Sequence, residues 1–175
     1  MRRFSVIFAV GALLAACEQR SPAPAGEADQ AAAANQAGGT NSSAAAVASG
    51  SPLAIAAADP ALKWGPCPEG MPQGCGIAVL HGDPAKPNAD IFLRVPGGAV
   101  IPPHAHSSAE RMILVSGELE VKYQGANAAA LRTGHYAYGP AKLPHRATCR
   151  SSEQCTLFIA FEGPVDVLPV AGTLD

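Results

Sequence analysis

The 175-residue chain is poor in charge, poor in aromatic side chains and, beyond its first sixteen residues, free of long apolar runs. Charged residues make up only 15% of it, and 12 basic against 14 acidic side chains leave a formal charge of −2. A nucleic-acid surface needs a clustered basic excess to neutralise phosphates, so that class of partner is excluded. A membrane-crossing helix needs about eighteen apolar residues in a row, and a polytopic membrane protein is excluded with it. No serine-hydrolase elbow, phosphate-cradling glycine loop or dinucleotide fingerprint occurs. Gly97-Gly98 leads into the Pro102-Pro103 pair rather than a helix, so no helix N-terminus is offered to a phosphate. Alanine is abundant, and 18 glycines and 16 prolines supply turns.

Met1-Arg2-Arg3 is a cationic start, and Phe4 to Ala16 is an apolar stretch short for a bilayer span, the order of a secretory signal over residues 1–16. It runs into Leu14-Ala15-Ala16-Cys17, which resembles the lipobox of bacterial lipoproteins. That resemblance implies acylation of Cys17 and a protein of the bacterial cell envelope, lipid-anchored on the periplasmic face, with the membrane as one partner. Residues 17–60 are mostly Ala, Gly, Ser, Pro, Asn and Gln, and no aromatic lies between Phe8 and Trp64. Such a composition buries too little apolar surface to offset the entropy of ordering, so a disordered tether is expected, with a random-coil reach of roughly 35–40 Å.

Residues 61–175 read differently. Gly and Pro punctuate short β-rich runs at Ile77–Leu80, Ala89–Val95, Arg111–Ser116, Glu118–Tyr123, His135–Tyr138, His145–Cys149, Thr156–Phe161 and Val165–Val170. Glu118 to Tyr123 alternates charged and apolar residues, the period of a half-buried strand, and Ser116-Gly117 before it reads as a tight turn. With no helix longer than a turn or two in the pattern, the fold class is all-β, a sandwich or small barrel.

Setting Cys17 aside leaves Cys67, Cys75, Cys149 and Cys155. In an oxidising compartment these favour disulfides, and proximity favours Cys67–Cys75 and Cys149–Cys155. A structural zinc site and a catalytic thiolate at Cys149 are the competing readings.

Two of the five histidines stand as His104-Ala105-His106, followed by Glu110. Residues two apart on an extended segment share a face, which aims both rings together, and Glu110 has the same parity if the register holds through Ser107-Ser108. Imidazoles with one carboxylate suit divalent iron, manganese, nickel, copper or zinc, and a set of four leaves open coordination positions. Gly98, His104, His106, Glu110 and Gly117 match in every spacing the first motif of the cupin family, G-x5-H-x-H-x3-E-x6-G. Gly134, Pro140 and His145 resemble its second motif, with Lys142 where the family has glycine and Cys149 where it has asparagine. The resemblance covers about Trp64 to Val170 and extends to small single-domain metal-binding cupins and to the cupin domain of the ChrR-type anti-sigma factors. It implies a double-stranded β-helix, a jelly-roll barrel, with one divalent metal held by His104, His106, Glu110 and His145.

Arg94, Tyr123 and Tyr138, with Tyr136 and Trp64, are candidates to line a pocket beside the metal, although aromatics in a small barrel are more often plain core. Arg111, Ile113 and Val115 should share the outer face of their strand, a candidate homodimer contact. Two functions are open. One is a metal-dependent enzyme, dioxygenase- or isomerase-like, acting on a small molecule. The other is a non-catalytic module that binds or senses a metal or small ligand.

Overall fold

A computed structural model describes residues 51–174. The expected signal segment, Cys17 and residues 18–50 of the expected tether lie outside the described residues. Two antiparallel sheets make the fold, and the described residues contain no helix. The six-stranded sheet runs in the order β1 (Trp64–Pro66), β2 (Gly76–His81), β3 (Ala89–Val95), β10 (Cys155–Phe161), β5 (Glu110–Ser116) and β8 (Tyr136–Gly139). The five-stranded sheet runs β11 (Leu168–Pro169), β4 (Val100–Ala105), β9 (His145–Cys149), β6 (Glu118–Tyr123) and β7 (Ala129–Arg132). This is the all-β jelly roll that the motif pattern implies.

Period-two alternation decides what each strand places inside. In β3, Ile91, Leu93 and Val95 face the core; in β6, Leu119 and Val121 do so while Glu118, Glu120 and Lys122 point outward. With Met112, Leu114, Leu157, Ile159 and Phe161 they form one contiguous core between the sheets. Each such aliphatic contributes about 1.5–3 kcal/mol by leaving water. Phe92 has the opposite parity and is nonetheless buried, because Leu62 and the partly buried Ile55 and Ala57 fold over the outer face of β2 and β3. Ile55 and Ala57, two residues that composition assigned to the tether, thus pack with Leu62 against Phe92.

Two expectations about strands also change. Within Val165–Val170 only Leu168 and Pro169 pair with a neighbour, against Ala105 and His104. Nor does Glu110 continue the face of His104 and His106. β4 ends at Ala105, the chain bends through Ser107-Ser108, and Glu110 opens β5 in the opposite sheet. The carboxylate meets the imidazoles across the barrel, and not by running on along one strand.

Candidate metal centre

His104 lies opposite His145 in the β4–β9 register, and Tyr123 lies opposite His145 in the β6–β9 register. Three inward side chains thus form a row across one end of the five-stranded sheet. His106, one residue beyond β4, completes the histidine set. Ring centroids are separated by 4.2 Å for His104–His145, 4.9 Å for His104–His106 and 5.2 Å for His106–His145. One nitrogen from each of the three falls within 4.8 Å of the others, an arrangement able to hold a metal ion. All three are buried, and Glu110, at 2% exposure, is buried more deeply still.

Each imidazole has its Nδ1 against a main-chain carbonyl. His104 meets Pro102 at 2.8 Å, His106 meets Asp166 at 2.5 Å and His145 meets Leu143 at 3.3 Å. A carbonyl accepts only, so Nδ1 carries the proton and donates, leaving the Nε2 lone pair for the interior. Glu110 faces those lone pairs: its Oε1 is 3.1 Å from Nε2 of His145 and its Oε2 is 3.5 Å from Nε2 of His106. Oε1 is nevertheless buried with no hydrogen-bond partner. Lone pair against carboxylate at this range is repulsive unless a cation lies between them. The donor set therefore fits a divalent transition metal.

The electrostatics of His104 point the same way. Burial, and then the neighbouring His145, depress His104 to a pKa of about 4, so its ring is neutral and ready to ligate at neutral pH. Burial pushes the Glu110 carboxyl up, but its contact with His145 and the nearby His106 and His104 pull harder and hold it below its ordinary value.

Two local features position the set. Gly139 is opposite Glu110 in the β5–β8 register, and a Cβ there would come within 2.8 Å of Glu110 Oε1 and 3.2 Å of the Tyr123 ring. The missing side chain makes the space in which the carboxylate lies. Lys142, where the cupin motif has glycine, adopts φ +63°, so the turn leading to His145 keeps the left-handed conformation that glycine would supply. Its N–H donates to the carbonyl of His106.

Cys67–Cys75 and Cys149–Cys155 are disulfides. The zinc reading of the cysteines and the catalytic thiolate at Cys149 are thereby corrected: all four sulfurs are bonded, and Cys149 and Cys155 are fully buried. Arg94 does not line the site. It has the opposite parity to Leu93 and Val95 and stacks outside the barrel over Trp64, 4.2 Å from the ring centroid. Tyr138 and Tyr136 alternate with the inward Ala137 and Gly139 and stand 49% and 57% exposed on the outer face. Arg111 shares that face and is paired with Glu162. Tyr123 alone of these candidates is beside the histidines, its ring 5.2 Å from that of His145 and its hydroxyl buried without a partner. Burial, then Glu110 and Tyr136, raise its pKa beyond the ordinary phenol range. His81 and His135 are exposed and take no part.

Sequence reasoning missed Asp166, Met71 and Val167. They belong to irregular segments, and no motif marks them. They, the histidines and Glu110 line a cavity of about 50 Å³ whose other walls are core aliphatics and Phe161. Met71, His104 and Val167 also wall a neighbouring pocket of about 290 Å³.

Comparison with known proteins places this geometry in context. Residues 54–166 match the ChrR cupin-like domain. No curated protein matches the sequence. Among solved structures, the DMSP lyase DddQ from Ruegeria pomeroyi DSS-3 is 22% identical with a TM-score of 0.52, over 62% of this chain and 60% of that one. An RmlC-like cupin from Shewanella frigidimarina NCIMB 400 is 20% identical with a TM-score of 0.49, over 60% and 86%. An oxalate oxidase is 17% identical with a TM-score of 0.48, and the alignment spans 56% of either chain. These likenesses are of fold. The chain belongs to the ChrR cupin-like domain family of the cupin superfamily.

Proposed function

We propose that this chain is an envelope-anchored cupin lipoprotein, attached through Cys17, in which His104, His106, His145 and Glu110 hold one divalent transition metal used in chemistry on a small molecule. The single observation that carries the metal reading is the confrontation of three buried imidazole lone pairs with the unpartnered Oε1 of Glu110. A divalent metal bound there supplies a Lewis acid for an oxygen donor or, if redox-active, a means of engaging dioxygen. The residues themselves orient the donors, exclude bulk water and keep His104 neutral. Support for the anchor is the order of cationic start, apolar stretch and lipobox-like Leu14-Ala15-Ala16-Cys17.

A second reading has its own observation. Apart from the proposed ligands and Asp166, no acid or base lines the cavity among the described residues. That favours a module that binds or senses a metal or ligand without turnover, since a general acid or base must be within hydrogen-bond reach of the reacting group.

Elemental analysis of the untagged full chain, with oxygen uptake and substrate-depletion assays on the metal-bearing protein, tests both. One equivalent of metal with sustained turnover supports the enzyme, and metal without turnover supports the binding module. Absence of stoichiometric metal after purification and after loading refutes the proposal.

A further inference from the structure

The cavity beside the histidines and the outer pocket it adjoins differ sharply in chemistry from a site built for a polyanion. Apart from the three histidines and Glu110, the only ionisable residue lining the cavity among the described residues is Asp166, whose carboxylate already accepts the N–H of Ser107 at 3.0 Å and 3.3 Å. The outer pocket is walled by Met71, Pro102, Pro103, Val167, Pro169 and Val170, together with Gly70 and His104. Among the described residues, no Lys or Arg lines either space.

We infer that the site takes a small molecule with an apolar body and a single anionic oxygen end, and that it discriminates against dianions. The inference rests on the metal reading above and names the ligand class of that same site. The reasoning is charge bookkeeping in a low-dielectric chamber. A divalent ion with the Glu110 carboxylate leaves one net positive charge among the ligands, which one anionic donor neutralises; the partly exposed Asp166 carboxylate adds negative charge nearby that further disfavours a second anionic group. A second negative charge would be buried with no cation to meet it. An apolar seat lies against the metal cavity, because Met71, His104 and Val167 wall both the inner cavity and the outer pocket. Prolines 102, 103 and 169 have no backbone N–H, so they offer no donor to a second carboxylate. Burial of apolar surface is the attraction that remains.

The test uses the full chain loaded with cobalt(II), whose visible absorption reports ligands entering the metal's coordination sphere. Cobalt content is first measured by elemental analysis. Benzoate (one charge, apolar ring) and succinate (two charges, no apolar face) are then titrated at constant ionic strength. The expected result is a benzoate dissociation constant at least tenfold lower than that of succinate. Cobalt retained with succinate binding as tightly as benzoate, or with neither moving the spectrum, overturns the ligand class alone. Cobalt not retained overturns the metal reading and the ligand class together.

Discussion

His106 and Asp166 are sixty residues apart in sequence and joined by a hydrogen bond from the ring Nδ1–H to the main-chain carbonyl, 2.5 Å between heavy atoms. The Asp166 carboxylate returns to the N–H of Ser107, the residue after the histidine. One position on the segment after β10 therefore sets both the tautomer of a proposed ligand and the bend that follows it. Outer hydrogen bonds of this kind orient a ligating imidazole and raise its basicity.

Asp166→Ala keeps the carbonyl and removes the Ser107 contact. The expected outcome is a metal affinity lower by up to about tenfold and a stability loss of about 1 kcal/mol. Chelator competition and urea unfolding measure the two, and wild-type affinity would show that the Ser107 bend is held without the carboxylate.

Gly139→Ala acts first on Glu110, with a lesser contact at 3.2 Å to the Tyr123 ring. A methyl group 2.8 Å from Oε1 forces the carboxylate to move while the three histidines stay on their carbonyls. Metal affinity should fall tenfold or more with the fold intact by circular dichroism. An unchanged affinity would mean that Glu110 is not a ligand.

Lys142→Gly tests the turn before His145. A non-glycine residue at φ +63° costs roughly 1–2 kcal/mol, part of which is returned by the lower chain entropy of lysine in the unfolded state. Stability should rise by about 1 kcal/mol with metal content unchanged. A loss of stability would show that the lysine side chain holds the turn by contacts of its own.

Acid should destabilise the metal-free protein. His104 has a folded pKa of about 4 against 6.5 unfolded, so the unfolded state binds more protons between those values. Its contribution is fully present above pH 6.5 and is lost as pH falls toward 4, roughly 2 kcal/mol of it by pH 5. Glu110, also lowered, adds a loss of the same sign at more acid pH. The urea midpoint of the chelator-treated protein should drop between pH 7.5 and pH 5. A flat profile would show that His104 is not held neutral.

Much of this was legible because strands advertise their parity. The alternation of Glu118 to Tyr123 and the apolar run of Ala89 to Val95 are each strands with the expected bounds. β1, β7 and most of β4 escaped notice, since Trp64-Gly65-Pro66 is too short to show a period and Pro102-Pro103 interrupts one. The same parity placed Arg94 and Tyr138 outside, had it been applied to them: each sits between inward neighbours. Asp166 and Met71 could not have been found that way, because irregular backbone has no period to read.

Residue types and local spacing, which are properties of the chain, were enough to determine the all-β class, to favour the two disulfide pairs over the competing readings and to single out the four proposed ligands. What brought His145 beside His104, Glu110 across from both and the Asp166 carbonyl onto His106 was sheet pairing between segments tens of residues apart. Contacts at that range depend on which strand faces which across the barrel, and periodicity along one segment carries no information about its distant partner.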